Sequence, residues 1–241
     1  MTNPNGPYPG RQLFLGLTVD GRPCLAYLVT GRSPQSRERR GMPIENGISM
    51  GPIGDEPYDW LRHYSAVKYD NDIGLAVVSN GIQTEAIFET YRLLYHSGSP
   101  PEKDYIEKIM DGARYEPDSL NTPRIAGVIT NRSEGADPAY IVSIITHYLP
   151  AQAFPIEPEP AVLTGISTYN GDMEKPEPFD VIADLPRIEF RGKTAEELAE
   201  YLYEISAATN KGDDVRVCAI GGIRSEDNRT WNLAMKNRHV N

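Results

Sequence analysis

Two apolar segments joined by a tight-turn dipeptide constrain the fold more than any other feature of this chain. Residues 13–19 read Leu-Phe-Leu-Gly-Leu-Thr-Val, residues 24–30 read Cys-Leu-Ala-Tyr-Leu-Val-Thr, and Asp20-Gly21 stands between them. This arrangement predicts a β-hairpin. Both segments are almost continuously apolar instead of alternating, so we expect other layers to cover both faces of the hairpin.

The rest of the chain contains further strand pairs and a few helices. We expect strands over residues 65–69, 73–79, 124–130, 140–148 and 161–169, and a final core strand over 215–220. We expect helices from Gln83 to the region of Gly98, from Glu102 to Gly112, and from a capping box at Thr194–Glu197 to about Asn210. Residues 31–54 are predicted to be a loop with a short strand at most, and residues 171–179 a loop.

Consecutive hairpins and grouped helices indicate an α+β fold and not a parallel doubly wound sheet. Two stacked, mainly antiparallel sheets covered by helices would explain strands that are apolar on both faces. The Pro-rich segment 150–160 is either a domain linker or an extended crossing on one domain. We favour the crossing, because neither side holds a complete-looking core, and we expect a single domain over residues 1–241.

Charge argues against a nucleic-acid-binding protein. The chain has 24 Lys and Arg against 34 Asp and Glu, for a formal net charge of −10, whereas phosphate contacts along a polymer need a surplus of basic residues. A few arginines in one pocket can still bind a small anion.

The sequence gives no support for a cofactor, a metal site or a membrane-spanning segment. Cys24 and Cys218 are too few for a disulfide framework, and reduced thiols in a cytoplasmic protein are the simpler interpretation. We find no CxxC or HExxH pair and therefore expect no metal site. No apolar run is long enough to cross a membrane, and the first seven residues lack the apolar core of a signal peptide.

Polar motifs stand at the predicted strand ends and turns, where rigid scaffolds hold functional side chains. In chain order they are Tyr8-Pro9-Gly10-Arg11, Ala26-Tyr27, Arg32-Ser33, Tyr64, residues 77–81, Leu120-Asn121-Thr122-Pro123-Arg124-Ile125-Ala126, Ile166-Ser167-Thr168-Tyr169 and residues 231–234. This ordered set covers nearly the whole chain and resembles the archaeal-type IMP cyclohydrolase family.

The resemblance implies a fold and a reaction. The fold is the four-layer αββα sandwich of N-terminal-nucleophile hydrolases, without use of their nucleophile. The reaction is the dehydrative ring closure of 5-formamidoimidazole-4-carboxamide ribonucleotide to inosine monophosphate. The implied partner is a small-molecule purine ribonucleotide, and the chemistry needs no metal or redox cofactor. A homo-oligomer is compatible with these motifs.

The resemblance also suggests residue roles. Glu116 is the candidate proton shuttle, Tyr64 the candidate phenol, and Arg32 and Arg37 the candidates for holding the phosphate or polarising the formyl group. The candidate substrate-binding residues are Arg11, Ser33, Lys68, Ser79, Asn80, Gly81, Asn121, Arg124 and Asn232.

Several of these residues have a purely structural alternative. Asn121 is as well explained by a turn that caps a strand, and Ser79-Asn80-Gly81 by a strand-to-helix turn. Glu116 is also typical of a solvated loop, and so are the four arginines at positions 32, 37, 39 and 40, among which we favour a functional role for Arg32 and Arg37. Lys68 is equally typical of a solvent-facing strand position.

Two other functions stay open at this point. Thr2 would become an N-terminal threonine after removal of Met1, as in a true N-terminal-nucleophile amidohydrolase. The polar Pro/Gly lead that follows holds Thr2 away from the first strand and argues against this. The second alternative is a purine nucleotide-binding protein without catalytic activity.

Overall fold

The structure is a computed structural model that describes residue 6 and residues 8–55, 57–131, 137–180 and 184–239. Its strands are β1 Arg11–Leu17, β2 Pro23–Thr30, β3 Arg39–Ile44, β4 Gly47–Pro52, β5 Tyr64–Asp70, β6 Leu75–Ser79, β7 Arg124–Thr130, β8 Ala139–Ile145, β9 Gln152–Ile156, β10 Val162–Ser167, β11 Arg187–Glu189, β12 Thr209–Asn210, β13 Asp213–Asp214, β14 Arg216–Arg224 and β15 Trp231–Asn237. Its helices are α1 Pro34–Arg37, α2 Gln83–Ser97, α3 Lys103–Ala113 and α4 Ala195–Ile205.

Two large sheets organise these strands. One sheet has seven strands in the order β3-β4-β5-β6-β7-β8-β9, and every neighbouring pair is antiparallel. The other has six strands in the order β11-β10-β1-β2-β14-β15, also antiparallel throughout. The prediction of two large, mainly antiparallel sheets with few helices is confirmed.

Burial on both faces of β1 explains why its sequence is continuously apolar. Successive side chains of a strand point to opposite faces of the sheet. Leu13 and Leu15 enter the core between the two sheets, which also includes Ile129 of the seven-stranded sheet. Phe14 points the other way and packs with Leu198 of α4.

The helices lie on the outer faces of the sheets. On the seven-stranded sheet, Val77 of β6 packs with Ile87 of α2 and Ile106 of α3. Helix α4 covers the six-stranded sheet and begins at the predicted capping box, where the Thr194 side chain accepts a hydrogen bond from the Glu197 backbone N–H. The layers therefore follow the order helix, sheet, sheet, helix.

Three expectations about single segments are wrong. Residues 31–54 contain α1 and the hairpin β3–β4 instead of a loop, because β3 and β4 pair with each other along six positions and extend the sheet edge. The segment 150–160 contains β9, which pairs with β8 at that sheet's other edge. The strand at 215–220 is not the last one, since β15 pairs with β14 from Cys218 to Arg224.

No helix in the part of the chain that the structure describes is long and apolar enough to cross a membrane.

Candidate functional site

The carboxylate of Glu116 is the centre of the site. Glu116 is only 3% exposed, and its Oε1 lies 2.5 Å from Arg11 Nη2 and 3.8 Å from Arg124 Nη1. Asn80 Nδ2 donates to the same oxygen at 3.4 Å. Arg11 begins β1, Asn80 follows β6 and Arg124 begins β7, so the two sheets bring these side chains together. We call these four residues the Glu116 cluster.

A tight loop presents Glu116. Its backbone N–H donates to Thr122 O at 2.8 Å, which closes the loop. Inside it, the Asp118 carboxylate accepts from the backbone N–H of Leu120 and of Thr122 and from the Thr122 hydroxyl. Asn121 adopts a left-handed backbone with φ 49°, which asparagine tolerates better than most residues. Asp118 and Asn121 thus fix the loop and do not contact the Glu116 carboxylate.

Asn80 connects the loop to β7. Its Nδ2 donates to Pro123 O at 2.9 Å, and its Oδ1 accepts from Ile125 N at 2.8 Å and from Gln83 Nε2 at 3.2 Å. Gln83 in turn accepts from Arg124 Nη1 at 3.2 Å. This buried network holds the guanidinium of Arg124 beside Glu116.

The absence of a side chain at Gly81 leaves room for the Arg124 guanidinium. A Cβ atom at Gly81 would lie 1.9 Å from Arg124 Nη1, far inside van der Waals contact. On its other side, the Arg124 guanidinium faces the ring of Trp60 at 5.8 Å. Ser79, two residues before Gly81, hydrogen-bonds to Thr84 Oγ1 at 2.5 Å instead of facing the cluster.

Two phenols lie close to Arg11. The hydroxyls of Tyr27 and Tyr64 are 2.7 Å apart, and both rings interact electrostatically with the Arg11 guanidinium. Burial raises the pKa of Tyr27 well above its ordinary value, so this phenol stays protonated. The Tyr27 hydroxyl can therefore donate a hydrogen bond to the Tyr64 hydroxyl oxygen and fix the orientation of that hydroxyl.

The charged groups of the cluster, one carboxylate and two guanidinium groups, shift one another's pKa values. Burial raises the pKa of the Glu116 carboxyl above its ordinary value, and the positive charges of Arg11 and Arg124 oppose this rise. Burial alone would lower the pKa of Arg11, but Glu116 and the neighbouring phenols raise it well above the ordinary value. The result is a carboxyl group with a shifted pKa next to a permanent cation.

A cavity of about 350 Å³ opens onto the cluster. Arg11 and Glu116 form part of its wall, and the other lining side chains are those of Tyr8, Arg32, Ser33, Gln35, Ser36, Arg39, Asp59, Leu61, Arg62, Asp118, Ser119, Leu120, Thr122 and Tyr169. Tyr8 and Tyr169 stack with ring centroids 5.8 Å apart. The basic side chains of Arg32, Arg39 and Arg62 make the wall suitable for an anionic ligand.

Most of the residues singled out from the sequence lie in or beside this site. Arg11, Asn80, Glu116 and Arg124 form the cluster. Tyr64 is connected to it through the phenol pair, Gly81 touches Arg124, and Arg32 and Ser33 line the cavity.

Three further predicted residues, in addition to Ser79 and Asn121, do not reach the cluster. Arg37 Nη2 pairs with Asp213 Oδ2 at 2.6 Å, in a groove beside the cavity. Lys68 Nζ pairs with Glu85 Oε2 at 2.5 Å, in another cavity. Asn232 is exposed on β15.

Sequence reasoning did not select several residues that the structure places in the site, among them Tyr27, Arg39, Arg62, Gln83, Thr122 and Tyr169. Tyr27 and Tyr169 belong to the quoted motifs, but nothing local distinguishes a site tyrosine from a core tyrosine. Arg39 begins an unpredicted strand, and its inward direction depends on the pairing of that strand.

The part of the chain described by the structure contains no group of three or more His, Cys, Asp or Glu side chains arranged to hold a metal ion. Thr2, the alternative nucleophile, lies outside the described residues.

The fold and the cluster define an α+β protein of two antiparallel sheets with a buried carboxylate–guanidinium cluster at the wall of a cavity. Residues 8–228 match the family described as "IMP cyclohydrolase-like protein". The chain is 30% identical to the IMP cyclohydrolase of Thermococcus kodakarensis over 227 residues, which are 94% of this chain and 96% of that protein. It is 29% identical to the IMP cyclohydrolase of Methanocaldococcus jannaschii over 201 residues, 81% of this chain and 85% of that protein. The chain belongs to the IMP cyclohydrolase-like family.

Proposed function

We propose that the protein is an IMP cyclohydrolase, which closes 5-formamidoimidazole-4-carboxamide ribonucleotide to inosine monophosphate with loss of water. The observation that carries this proposal is the buried Glu116 carboxylate, 2.5 Å from one guanidinium and 3.8 Å from a second, at the wall of a cavity with further arginines. Relatives named IMP cyclohydrolase that match most of the chain support it.

The reaction makes three demands on a protein. The carboxamide nitrogen is a weak nucleophile and has to be held against the formyl carbon. Negative charge develops on the formyl oxygen as the new C–N bond forms and has to be stabilised. One proton leaves the carboxamide nitrogen, another leaves the formamido nitrogen, and the oxygen departs with both as water.

Glu116 is suited to move these protons. A carboxylate with a pKa raised by burial accepts a proton near neutral pH more readily than an exposed one. In our proposal Glu116 takes the proton from the carboxamide nitrogen, and Tyr64 donates a hydrogen bond or a proton to the departing oxygen. Tyr27 is a positioning residue, because its hydroxyl lies 2.7 Å from that of Tyr64.

The arginines divide into two groups by their contact with Glu116. Arg11 and Arg124 are buried beside Glu116 and would stabilise the developing negative charge. Arg32 and Arg39 line the cavity and would bind the 5′-phosphate. Arg37, Lys68, Ser79, Asn121 and Asn232 have structural roles in this proposal, in ion pairs, in turns or on the surface.

The fold supports a relationship with N-terminal-nucleophile hydrolases, which we propose on the order helix, sheet, sheet, helix. We also propose a single domain over residues 1–241, because one core between the sheets includes residues from Leu13 to Trp231. The unpaired thiols of Cys24 and Cys218 support a reducing compartment such as the cytoplasm.

The experiment is a direct assay with the purified protein. The formylated ribonucleotide is added, and purine formation is followed by absorbance. We expect a rate well above the uncatalysed background. A background rate with retained nucleotide binding would favour the non-catalytic alternative and reject the proposed activity. Deletion of residues 2–7 is the matched test of Thr2, and we expect it to leave the rate unchanged.

A further inference from the structure

Another buried arginine, Arg224, lies at the opposite end of the strands that carry the Glu116 cluster. Strand β7 runs for seven residues from Arg124, and Asn131 follows it. At about 3.3 Å per residue the two ends are about 20 Å apart. A Cβ atom at Gly74 would lie 2.4 Å from Asn131 Nδ2 and 2.7 Å from Arg224 Nη1, so both side chains close over the Gly74 backbone.

Arg224 has little to compensate its charge. The residue is 5% exposed. Its Nη2 donates to the backbone carbonyl of Asn228, and its Nε is buried without an acceptor. Within the described parts of the chain, no carboxylate oxygen lies within the 4.0 Å of an ion pair with this guanidinium. The neighbouring Asn131 amide is neutral in either orientation and cannot balance the cation.

Four acids are nearby, and in the described parts of the chain none forms an ion pair with Arg224. Asp227 lies on the turn between β14 and β15 and accepts hydrogen bonds from Ser225 Oγ and from the Arg229 backbone N–H. Asp137 and Glu157 line one of the cavities beside Arg224, and Asp72 lines the other. Burial lowers the pKa of Arg224, and Tyr140 and Asp227 only partly oppose this effect. Arg11 differs in this respect, because Glu116 forms a direct ion pair with it.

The surroundings of Arg224 offer a second unused donor and open space. Trp231 is paired with Arg224 in the β14–β15 register, and its ring is 5.9 Å from Arg224 Cζ. Trp231 Nε1 is buried without an acceptor. Two cavities of about 660 and 600 Å³ share Arg224, Asn131 and Asn228 in their walls.

A buried cation without a counter-charge is destabilising, and a bound anion removes the imbalance. Guanidinium groups form their strongest hydrogen bonds with carboxylates and phosphates. We propose that Arg224 is the anchor of a second ligand site, which binds a small oxyanion of the phosphate class at the end of the sheets opposite to the Glu116 cluster.

The two tryptophans of the chain make the test specific, because Trp60 faces Arg124 and Trp231 faces Arg224. Inorganic phosphate is titrated into the ¹⁵N-labelled full chain at constant ionic strength, with sodium chloride as the reference salt. The two indole N–H signals are assigned with Trp60→Phe. We expect a saturable shift of the Trp231 signal with phosphate and not with chloride.

Asn131→Asp is the discriminating variant. It places a carboxylate beside Arg224 and leaves the donor groups of Arg224 and Trp231 in place. We expect it to weaken phosphate binding at Trp231 by about tenfold or more, to leave the Trp60 signal unchanged, and to raise the Tm in the absence of phosphate. Phosphate should raise the Tm of the unmodified protein and have a smaller effect on this variant.

Arg191→Met is the matched control, because it removes an exposed arginine whose side chain is 80% accessible. We expect its Trp231 titration to equal that of the unmodified protein. The proposal is overturned if the Trp231 signal responds equally to phosphate and chloride, or if Asn131→Asp binds phosphate as well as the unmodified protein. Neither result depends on the proposed cyclohydrolase activity.

Discussion

Glu116 and Arg11 are 105 residues apart in the chain, yet Glu116 Oε1 lies 2.5 Å from Arg11 Nη2 in a buried ion pair. The pair joins the loop before β7 to the first strand of the other sheet. Removing one partner of a buried ion pair leaves an uncompensated charge and costs about 3–5 kcal/mol. The pair is therefore both a stabilising contact between the sheets and, in our proposal, the centre of proton transfer.

Replacement of Glu116 tests its proposed role in proton transfer. Glu116→Gln keeps the shape of the side chain but cannot accept a proton. We expect kcat to fall by about 100-fold or more, with a smaller change in KM. The measurement is the absorbance assay over a range of substrate concentrations, with circular dichroism to verify the fold. Glu89→Gln is the control, since Glu89 pairs with Arg92 on the surface, and it should leave kcat unchanged. An equal loss in both variants would contradict the assigned role.

The pH dependence of kcat follows from the burial of Glu116. The proposed shuttle accepts a proton, so it has to be ionised, and the rate should rise with pH through its pKa. Burial raises the pKa of Glu116, which puts the midpoint of the acid limb above the ordinary value of about 4.3. A kcat profile measured over the stable pH range checks this. The residual activity of Glu116→Gln should lack the limb, and a limb that persists would assign it to another group.

The hydrogen bond between Tyr27 and Tyr64 predicts unequal effects of two similar substitutions. Tyr64→Phe removes the proposed donor to the departing oxygen, so kcat should fall by about tenfold or more. Tyr27→Phe removes only the partner that orients Tyr64, and we expect a smaller loss. Tyr91→Phe is the control, because its buried hydroxyl donates to Glu102 O outside the site. Parallel kinetics on the three variants check the order, and an equal loss for Tyr27→Phe and Tyr64→Phe would argue against Tyr64 as the donor.

Local signals were sufficient for much of the fold. The turn at Asp20-Gly21, the capping box at Thr194 and the glycine at the end of α2 mark the hairpin, the start of α4 and the end of α2 as the structure has them. The expected end of α4 near Asn210 is wrong, because the helix ends at Ile205 and residues 209–210 form β12, which pairs with β13. The hairpin β3–β4 could not be predicted in this way, because its segment is rich in Arg, Gly and Pro and has no apolar alternation. Its stability depends on pairing with β5, which is a non-local contact.

The candidate site shows the same contrast between residues that local sequence context identifies and residues that depend on non-local contacts. Glu116 and Arg124 stand in a motif that resembles the family, and their sequence context was enough to single them out. The choice between Arg37 and Arg39 was not accessible in the sequence, since both lie in one basic stretch. Helix α1 turns Arg37 toward Asp213, whereas Arg39 begins β3 and lines the cavity. Two residues that are two positions apart in the chain therefore line two different, neighbouring pockets, which share Arg32 and Ser33.

This difference is testable in the substrate affinity. Arg39→Met removes a cation from the cavity wall, so KM should rise by about tenfold, as expected for the loss of a charge-assisted hydrogen bond to phosphate. Arg37→Met removes the same charge from a pair with Asp213, whose side chain is 58% accessible, and KM should change little. Steady-state kinetics on both variants check this. A larger increase in KM for Arg37→Met would place the phosphate in the groove beside the cavity.

Gly81→Ala tests whether the position of the Arg124 guanidinium matters for the reaction, because the substitution changes no charge. A methyl group at Gly81 would lie 1.9 Å from Arg124 Nη1, so Gly81→Ala has to displace the guanidinium from Glu116 and Gln83. Because misplacement of about 1 Å costs about 100-fold in rate, we expect kcat to fall by that order while far-UV circular dichroism is retained. Gly112→Ala is the matched control. A Cβ at Gly112 meets open space in α3, and the substitution should stabilise the helix by about 0.5–1 kcal/mol without affecting kcat. Normal kcat in Gly81→Ala would show that the position of Arg124 is not required for the reaction.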